Sequence, residues 1–358
     1  MTTVIASAHD TRADESVAGR VGPDPDHVLR NDDRALRACW HPVARSSEIT
    51  ETPTKAWLLS EPLVLYRAGD RAVGFLDRCP HRRAPLSEGT VDDGVLTCAY
   101  HGWAFDSAGT CVAIPSLGTS RTLPPKAHLA AVRLCERYGM VFAALEEPIA
   151  PLPEVAAFAA GGRHVPLEFE GPYGASLLID NQLDIAHFAF LHRQTFGVAD
   201  DPSTPPYAVE RDGWGFTSAM EMPISASNDP GVADGTRPLR QHRFMTYRYW
   251  APFHVELTLD YPVMGGSTVV VFFAQPQTAE RSRMYVDLFF RRSEPLTDSE
   301  LADRVAFEQK VFGEDLALQA RFDTTDLPLG PGAECHVRAD RASVEYRRIL
   351  AEIVEASR

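Results

Sequence analysis

Two cysteines and two histidines alternate within one short stretch of this 358-residue chain. The stretch reads CPHRRAPLSEGTVDDGVLTCAYHGW, where Cys79 precedes His81 by two positions and Cys98 precedes His101 by three. Two thiolates and two imidazoles can hold tetrahedral zinc, or an iron–sulfur cluster in which histidines replace two cysteines on one iron. Zinc modules usually group their cysteines before their histidines, whereas each short arm here offers one of each. The alternation therefore favours a two-iron cluster, with structural zinc or unrelated buried side chains as the alternatives.

The cysteine content as a whole favours metal binding over a disulfide framework. Six cysteines in a chain of this size, without a secretory signal, predict metal ligands or buried thiols. Four of them have no partner at ligand spacing and are expected to be small buried side chains or incidental thiols: Cys39, Cys111, Cys135 and Cys335.

Length, charge and hydropathy narrow the class of protein. With 44% hydrophobic residues, 358 residues are enough for two packed domains. No segment approaches the roughly 18 unbroken apolar residues of a membrane helix, and the first residues contain no signal-peptide core. A cytoplasmic protein without a membrane span is therefore expected. The formal charge of −14 argues against nucleic-acid binding and suits a partner with a basic docking face.

Changes in composition divide the chain into four segments. Residues 1–34 are polar and are expected to be a flexible lead. Residues 35–146 contain short β-rich runs punctuated by Gly, Asp and Pro, which is typical of a small antiparallel β domain, and DSAG at 106–109 predicts a tight hairpin. Residues 147–163, rich in Pro and with a Gly-Gly pair, are predicted to link this domain to a second one over residues 164–358.

The second domain is predicted to hold one large antiparallel sheet flanked by helices. Its strand candidates are rich in aromatic and β-branched residues and cover 213–222, 243–262, 267–277 and 283–292. Helical patterns precede and follow them at 173–192, 297–323 and 341–357.

A second candidate metal site lies in the helical segment IDNQLDIAHFAFLHRQTFG. Asp184 and His187 are three residues apart and share a helix face, whereas His187 and His192 would lie about 140° apart around an unbroken helix. Both imidazoles can face one metal only if the helix ends or distorts between them. Two histidines and one carboxylate with open positions are typical of a non-haem Fe(II) oxygenase. The carboxylate must come from elsewhere in the chain.

The two motifs together resemble those of the Rieske non-haem iron oxygenases. The first stretch, with HGW after its second arm and IPSL further on, resembles the Rieske [2Fe–2S] motif. The pattern N-x2-D-x2-H-x4-H, beginning at Asn181, resembles the catalytic-domain motif of the same family. The resemblance implies that Cys79 and Cys98 hold the inner iron of the cluster. It also implies that His81 and His101 hold the outer iron close to solvent.

The resemblance also implies a third ligand for the mononuclear iron, an aspartate on a late helix. Asp315 in VFGEDLALQARF is the first choice, Asp323 the second and Asp303 a distant third. Asp184 either caps its helix locally or orients His187. In the family, this aspartate connects His187 to the cluster histidine, here His101, of a neighbouring subunit. A closed ring of subunits, most simply a homotrimer, would follow.

The implied fold is α+β, an N-terminal antiparallel β Rieske domain followed by a helix-grip catalytic domain. The implied function is a terminal oxygenase that receives electrons from NAD(P)H through a reductase, with or without a ferredoxin, and uses O2 at Fe(II). Its substrate would be a small apolar aromatic or alicyclic molecule, hydroxylated or oxidatively demethylated. Phe253, Val255 and Phe272 are candidates for lining its pocket. The length and the phrase CPHRRAPLSEG resemble the monooxygenase and O-demethylase branch, although insertion of one or two oxygen atoms stays open.

Two alternatives from other classes remain at this point. One is an electron-transfer protein whose second domain only binds a partner. The other is a lipid- or pigment-binding protein that uses the same cavity and carries a structural metal.

Overall fold

The computed structural model describes residues 26–118, 122–160, 163–330 and 332–358. Its N-terminal half contains eleven strands within the described residues. They are β1 (Val28–Leu29), β2 (His41–Arg45), β3 (Thr54–Leu58), β4 (Glu61–Ala68), β5 (Arg71–Leu76), β6 (Thr90–Asp92), β7 (Val95–Thr97), β8 (Ala104–Phe105), β9 (Cys111–Ala113), β10 (Arg133–Arg137) and β11 (Met140–Ala144). Short 3-10 helices lie between them at Arg34–Ala38, Ser46–Glu48, Leu86–Glu88 and Pro115–Leu117.

These strands form small antiparallel sheets, as the sequence predicts for this part of the chain. The sheet orders are β3-β4-β5, β6-β7-β8-β9 and β10-β11-β2. The predicted hairpin at 106–109 joins β8 to β9. Asp106 accepts backbone hydrogen bonds from Ala108 and Thr110, and Gly109 takes a φ of 83° that suits glycine.

The C-terminal half contains the helices and the large sheet. Its elements are α1 (Ala156–Ala159), β12 (Arg163–Gly171), α2 (Ala175–Leu183), α3 (Phe188–Leu191), β13 (Val209–Asp212), β14 (Gly215–Ser225), α4 (Pro230–Ala233), β15 (Arg240–Trp250), β16 (His254–Asp260), β17 (Ser267–Thr278), β18 (Arg281–Arg291), α5 (Asp298–Gln319), β19 (Leu327–Pro328) and α6 (Arg341–Ala356). A 3-10 helix at Arg338–Asp340 precedes α6. The predicted α+β class is confirmed.

The large sheet is antiparallel throughout, in the order β12-β18-β17-β16-β15-β14-β13. Strand β15 alternates buried and exposed residues, as a strand with one covered face should. Strand β17 is buried along most of its length because α2 covers one side and β2 and β3 of the N-terminal half contact the other. The large sheet therefore contacts two of the smaller sheets, through β2 and β3.

The predicted flexible lead, residues 1–34, differs from the structure where it is described. Its residues 1–25 lie outside the described part of the chain. The remainder is packed rather than free, because β1 pairs with β19 and Leu29 is buried in the main core. A two-residue strand carries no periodicity, so the sequence pattern could not indicate this pairing. The predicted linker 147–163 likewise contains α1 and buries Leu152 and Val155 beside β17 and β18.

The long helical pattern at 173–192 is interrupted in the structure. Helix α2 ends at Leu183, and Asp184 takes an extended backbone conformation with φ −78° and ψ 134°. The short α3 then begins after His187 and ends before His192. The break that two facing histidines require is therefore present. No helix among the described residues is long and apolar enough to cross a membrane.

Candidate metal centres

The two arms of the N-terminal motif fold into matching loops. In the first, the backbone N–H of Cys79 donates to Ala84 and that of Arg83 donates back to Cys79, both at 2.8 Å. In the second, Cys98 donates to Trp103 and Gly102 donates to Cys98, both at 2.9 Å. The fourth residue after each cysteine has a positive φ, 57° in the first loop and 69° in the second. Because the two loops share the same hydrogen-bond pattern, their cysteines occupy equivalent positions.

The four side chains of this motif separate into an inner and an outer pair. Both cysteines are buried, and burial raises the pKa of Cys79 to about 11, with a further increase from neighbouring Cys98. Both histidines are exposed, and their ring centroids lie 4.5 Å apart. The His81 ring also stacks on Trp103 at 4.6 Å and 6°. Two thiols inside and two imidazoles outside match the donor set of a two-iron cluster with two kinds of ligand.

The IPSL segment lies beside the second loop, as the resemblance implies. It forms a 3-10 helix, Pro115–Leu117. A Cβ placed on Gly102 would come within 3.1 Å of the Pro115 ring. Gly102 therefore serves both the left-handed turn and the close approach of the proline.

The second candidate site brings together residues from two distant parts of the chain. The Nε2 atoms of His187 and His192 lie 3.1 Å apart. One carboxylate oxygen of Asp315, on α5, lies 3.5 Å from the first and 3.2 Å from the second. These three residues form the one group of at least three metal-binding side chains found within 4.8 Å of one another in the described residues.

The other two aspartate candidates lie on the surface. Asp303 is exposed on α5, and Asp323 is exposed beyond the end of that helix. Asp315 is buried, because it faces the sheet side of α5. The geometry of the described chain therefore favours the first choice of the sequence analysis.

Each histidine of this site is held from behind by a carboxylate. Asp184 lies 3.0 Å from His187 Nδ1, and Glu314 lies 2.8 Å from His192 Nδ1. A carboxylate at Nδ1 keeps the proton there, which leaves the Nε2 lone pair free for a metal. Glu314 is not among the residues predicted from the sequence. Its position directly before Asp315 is the one signal that could have suggested it.

One buried carboxylate oxygen at this site has no hydrogen-bond donor, and it suits a metal ion. The Oδ1 of Asp315 is buried and has no hydrogen-bond donor, although buried oxygens rarely lack a partner. It points toward one nitrogen of each imidazole ring, and the other nitrogen of each ring already contacts a carboxylate. Two imidazoles and one carboxylate on one side, with the other side open to a cavity, fit a mononuclear non-haem iron.

Electrostatics couple the carboxylates to the imidazoles. Burial acts to raise the pKa of Asp184, but its hydrogen bond to His187 and the charge of that ring outweigh burial and lower the pKa. Burial acts to lower the pKa of His192, but the nearby carboxylates of Asp315 and Glu314 outweigh it and raise the pKa. The carboxylates thus make the His192 ring more basic and a better ligand.

A cavity opens directly onto the three candidate iron ligands. The walls come from α2, α3, the central strands of the sheet and α5: Asn181, Gln182, His187, Phe188, His192, Phe196, Arg243, Tyr247, Leu257, Leu259, Tyr261, Val270, Phe272, Phe307, Glu308, Val311, Phe312 and Asp315. Of the three predicted lining residues, Phe272 is among them, whereas Phe253 and Val255 belong to the core.

Comparison with known families agrees with this arrangement. Residues 39–125 match the Rieske [2Fe–2S] domain, and residues 174–356 match the vanillate O-demethylase oxygenase C-terminal domain. The chain is a Rieske oxygenase. It is therefore an oxidoreductase of the terminal oxygenase type, with a [2Fe–2S] cluster and mononuclear iron as cofactors and O2 as co-substrate. This result favours the oxygenase prediction over the electron-transfer and carrier alternatives.

Individual relatives align with this Rieske oxygenase over most of its length. Methylxanthine N1-demethylase NdmA of Pseudomonas putida is 29% identical over 343 residues, 92% of this chain and 93% of that protein. The vanillate O-demethylase oxygenase subunit of a Pseudomonas species, strain ATCC 19151, is 29% identical over 333 residues, 84% of this chain and 96% of that protein.

Solved structures give the same result for the fold. NdmA of Pseudomonas putida CBB5 with caffeine superposes with a TM-score of 0.78 at 25% identity, covering 91% of this chain and 96% of that one. Dicamba monooxygenase bound to 3,6-dichlorosalicylic acid has a TM-score of 0.74 at 21% identity, with coverage of 90% and 99%. The second likeness concerns the fold alone.

Proposed function

We propose that the residues described above divide into two metal sites with separate tasks. The cluster ligands are Cys79, His81, Cys98 and His101, and the iron ligands are His187, His192 and Asp315. The observation that carries this proposal is the approach of two imidazole Nε2 atoms and an unpartnered buried carboxylate oxygen to within 4.8 Å. Iron bound by such a set offers open coordination positions for O2 beside a substrate.

The protein side chains orient the ligands and restrict water. Asp184 and Glu314 fix the rotation and tautomer of the two histidine rings through their Nδ1 atoms. The rings of Phe188 and Phe196 pack against His192, with centroids 6.0 and 4.9 Å away. These aromatic rings limit access of solvent to the iron side of the cavity and leave an apolar wall for a substrate.

We propose that electrons reach the iron from the cluster of a neighbouring subunit. Asp184 is 31% exposed while it holds His187, so it is accessible to a second chain. Large apolar side chains are exposed beside both sites, Tyr100 (64%) next to His101 and Phe190 (66%) on α3. Exposed apolar groups next to two functional centres suit a contact between subunits. A head-to-tail contact that closes gives a ring, and a homotrimer is the simplest.

The external electron source is proposed to be NAD(P)H, acting through a reductase with or without a ferredoxin, in the cytoplasm. The exposed outer histidines and the net charge of −14 suit a donor with a basic docking face. We further propose that the domains divide at residues 35–146 and 164–358, which is supported by the change from small sheets to the large sheet at β12.

The proposed reaction is oxidative demethylation of a small aromatic or alicyclic substrate. Two relatives that align with most of this chain, an N1-demethylase and an O-demethylase, support this choice. One oxygen atom of O2 inserts into a methyl C–H bond, the hydroxymethyl group leaves as formaldehyde, and two electrons and two protons reduce the other oxygen atom to water. Hydroxylation without loss of formaldehyde is the second candidate. Hydroxylation is the first half of the demethylation reaction, and the same site would perform it.

Two measurements test the proposal. Electron paramagnetic resonance of the dithionite-reduced protein should give a Rieske signal, which differs from that of an all-cysteine cluster and from the silence of zinc. With a reductase and methylated aromatic substrates, O2 uptake should be matched by formaldehyde. Zinc without acid-labile sulfide would overturn the cluster assignment, and O2 uptake with a hydroxylated product but no formaldehyde would move the reaction to hydroxylation.

A further inference from the structure

A charged residue lies on the inward face of the sheet where an apolar one is expected. Strand β15 turns every second residue inward, and most of these are large and apolar, such as Met245, Tyr247 and Tyr249. Arg243 occupies one of the inward positions and is only 5% exposed. Buried charges are costly unless they are paired, so this position requires an explanation.

Arg243 has no acidic partner within the described residues. No carboxylate lies within 4 Å of its guanidinium, and its buried Nε has no hydrogen-bond acceptor. Its flat face rests on aromatic rings, 4.3 Å from the centroid of Phe196 and 5.5 Å from that of Phe188. Stacking covers the face of the guanidinium, and Tyr261 interacts with one part of its edge, which leaves the remaining N–H groups for a planar acceptor.

Another equally buried arginine in this chain shows the usual solution. Arg347, also 5% exposed, contacts both oxygens of Asp180 at 2.8 Å and Glu334 at 2.7 Å. The fold thus supplies carboxylates where a buried guanidinium has only a structural role. Arg243 lacks them and instead lines the cavity that holds the candidate iron ligands.

Glu308, an acid that lines this cavity, is a weak counter-charge for Arg243. Glu308 lies on the α5 wall and stays outside ion-pair distance of Arg243. Burial raises the pKa of Glu308 to about 7, against the opposing charges of Arg243 and Arg304. Burial thus disfavours the charged form of Glu308 and weakens it as a partner for Arg243.

We propose that Arg243 binds a carboxylate group of the substrate and thereby selects aromatic or alicyclic acids over their neutral analogues. A carboxylate matches the edge of a guanidinium with two parallel hydrogen bonds, and the cavity is lined on other sides by apolar rings that suit the rest of such a molecule. This inference rests on the proposed function, because it assigns the substrate class of the same cavity. It replaces the wholly apolar substrate of the sequence analysis with an amphipathic one.

Equilibrium binding tests the inference without turnover. The iron-loaded protein is titrated under nitrogen by calorimetry with benzoate, 4-methoxybenzoate and cyclohexanecarboxylate, and with the corresponding neutral amides. We expect the carboxylates to bind at least about tenfold more tightly than the amides. Only the carboxylates can form hydrogen bonds between two charged groups. Arg243→Gln should bring this ratio close to one. Arg243→Lys should leave an intermediate ratio, because lysine keeps the positive charge but cannot form two parallel hydrogen bonds with a carboxylate.

A matched control lies on the same strand. Arg240 is 48% exposed and pairs with Asp201 outside the cavity, so Arg240→Gln should leave the ratio unchanged. Equal affinity for acids and amides in the unaltered protein would overturn the inference, and so would an undiminished ratio in Arg243→Gln or the absence of binding by all three acids. The first of these outcomes needs no variant and does not depend on folding.

Iron content and O2 uptake, measured on the same samples, separate this inference from the proposed function. A protein that prefers acids through Arg243 but binds no iron at His187 and His192 would overturn the proposed function alone. A protein with iron and O2 uptake but no preference for acids would overturn only the assignment of Arg243.

Discussion

The Nδ1 atom of His192 lies 2.8 Å from Glu314, while its Nε2 atom lies 3.2 Å from Asp315, the next residue on α5. Adjacent helix residues point about 100° apart, so they do not normally face the same partner. Here the imidazole ring lies between them, and one helix fixes both of its nitrogens. Thr195 donates a further hydrogen bond to Glu314 at 2.9 Å and holds that carboxylate in place.

Replacing Glu314 by Gln should therefore weaken iron binding without removing a ligand. The amide no longer favours a proton on His192 Nδ1, so the ring becomes a poorer donor at Nε2. We expect a loss of about 10–100-fold in iron affinity, the usual effect of altering such a partner. Iron titration of the metal-free protein measures it. The exposed Asp303→Asn on the same helix is the control, and an equal effect of both variants would contradict the role of Glu314.

Replacing His187 or His192 by Ala should remove mononuclear iron and turnover while the cluster remains. The two candidate sites use separate side chains, since the cluster candidates lie on loops of the N-terminal sheets and the iron candidates at the two ends of α3 and on α5. Iron per chain should fall by one, with the visible spectrum of the cluster unchanged. Loss of that spectrum in either variant would show that the assignment of the two sites is wrong.

The third ligand can be tested by a pair of conservative changes. Asp315→Asn removes the charge of the buried oxygen that lies beside both imidazoles and should lower iron affinity strongly. Asp323→Asn changes an exposed carboxylate and should have little effect. Iron content after dialysis against a chelator distinguishes them. The reverse order would transfer the role to Asp323.

The sequence predicted those features that depend on spacing or periodicity. The alternating Cys and His residues, the strand patterns and the need for a helix end between His187 and His192 all follow from local geometry, and α3 ends at Leu191, between the two histidines. The choice of Asp315 needed the family resemblance, because helix α5 carries several acidic residues. Its burial on the inward side of that helix then agrees with the choice.

Other features depend on contacts that no local pattern encodes. Glu314 contacts His192 from 122 residues away, and only the folded chain brings them together. Arg243 looks like one more polar residue in a basic stretch of sequence until the sheet turns it inward. The pairing of β1 with β19 joins two short segments almost 300 residues apart. The hydrophobic periodicity of the sequence does not indicate such a pairing.

A methyl group at Gly102 should damage the cluster loop. This glycine has a φ of 69°, where a non-glycine residue costs about 1–2 kcal/mol, and the added Cβ would lie 3.1 Å from Pro115. Gly69→Ala is the matched control, because it has a φ of 62° in the same half of the chain and nothing within 4 Å. We expect Gly102→Ala to lower cluster occupancy, read from visible absorbance and acid-labile sulfide. Equal occupancy in the two variants would mean that contact with Pro115 is unimportant.

The buried Asp287 should be among the carboxylates that contribute most to stability. It lies on β18 and accepts hydrogen bonds from Arg45 of β2 at 2.8 and 3.0 Å, with His164 at 2.6 Å. Because Asp287 is fully buried, Asp287→Asn leaves the guanidinium of Arg45 without its main counter-charge, and breaking such a pair costs about 3–5 kcal/mol. Urea unfolding of the cofactor-loaded protein, followed by circular dichroism, measures the change.

The control for this last change is an ion pair on the surface of the same strands. Glu170 pairs with Arg281 at 2.7 Å, and both side chains are about half exposed. Glu170→Gln should cost less than about 1 kcal/mol, since solvent screens the pair. Similar losses in the two variants would mean that burial adds nothing at Asp287. A larger loss at Asp287 would instead support a polar link through which β2 of the N-terminal half and β18 of the catalytic sheet stabilise each other.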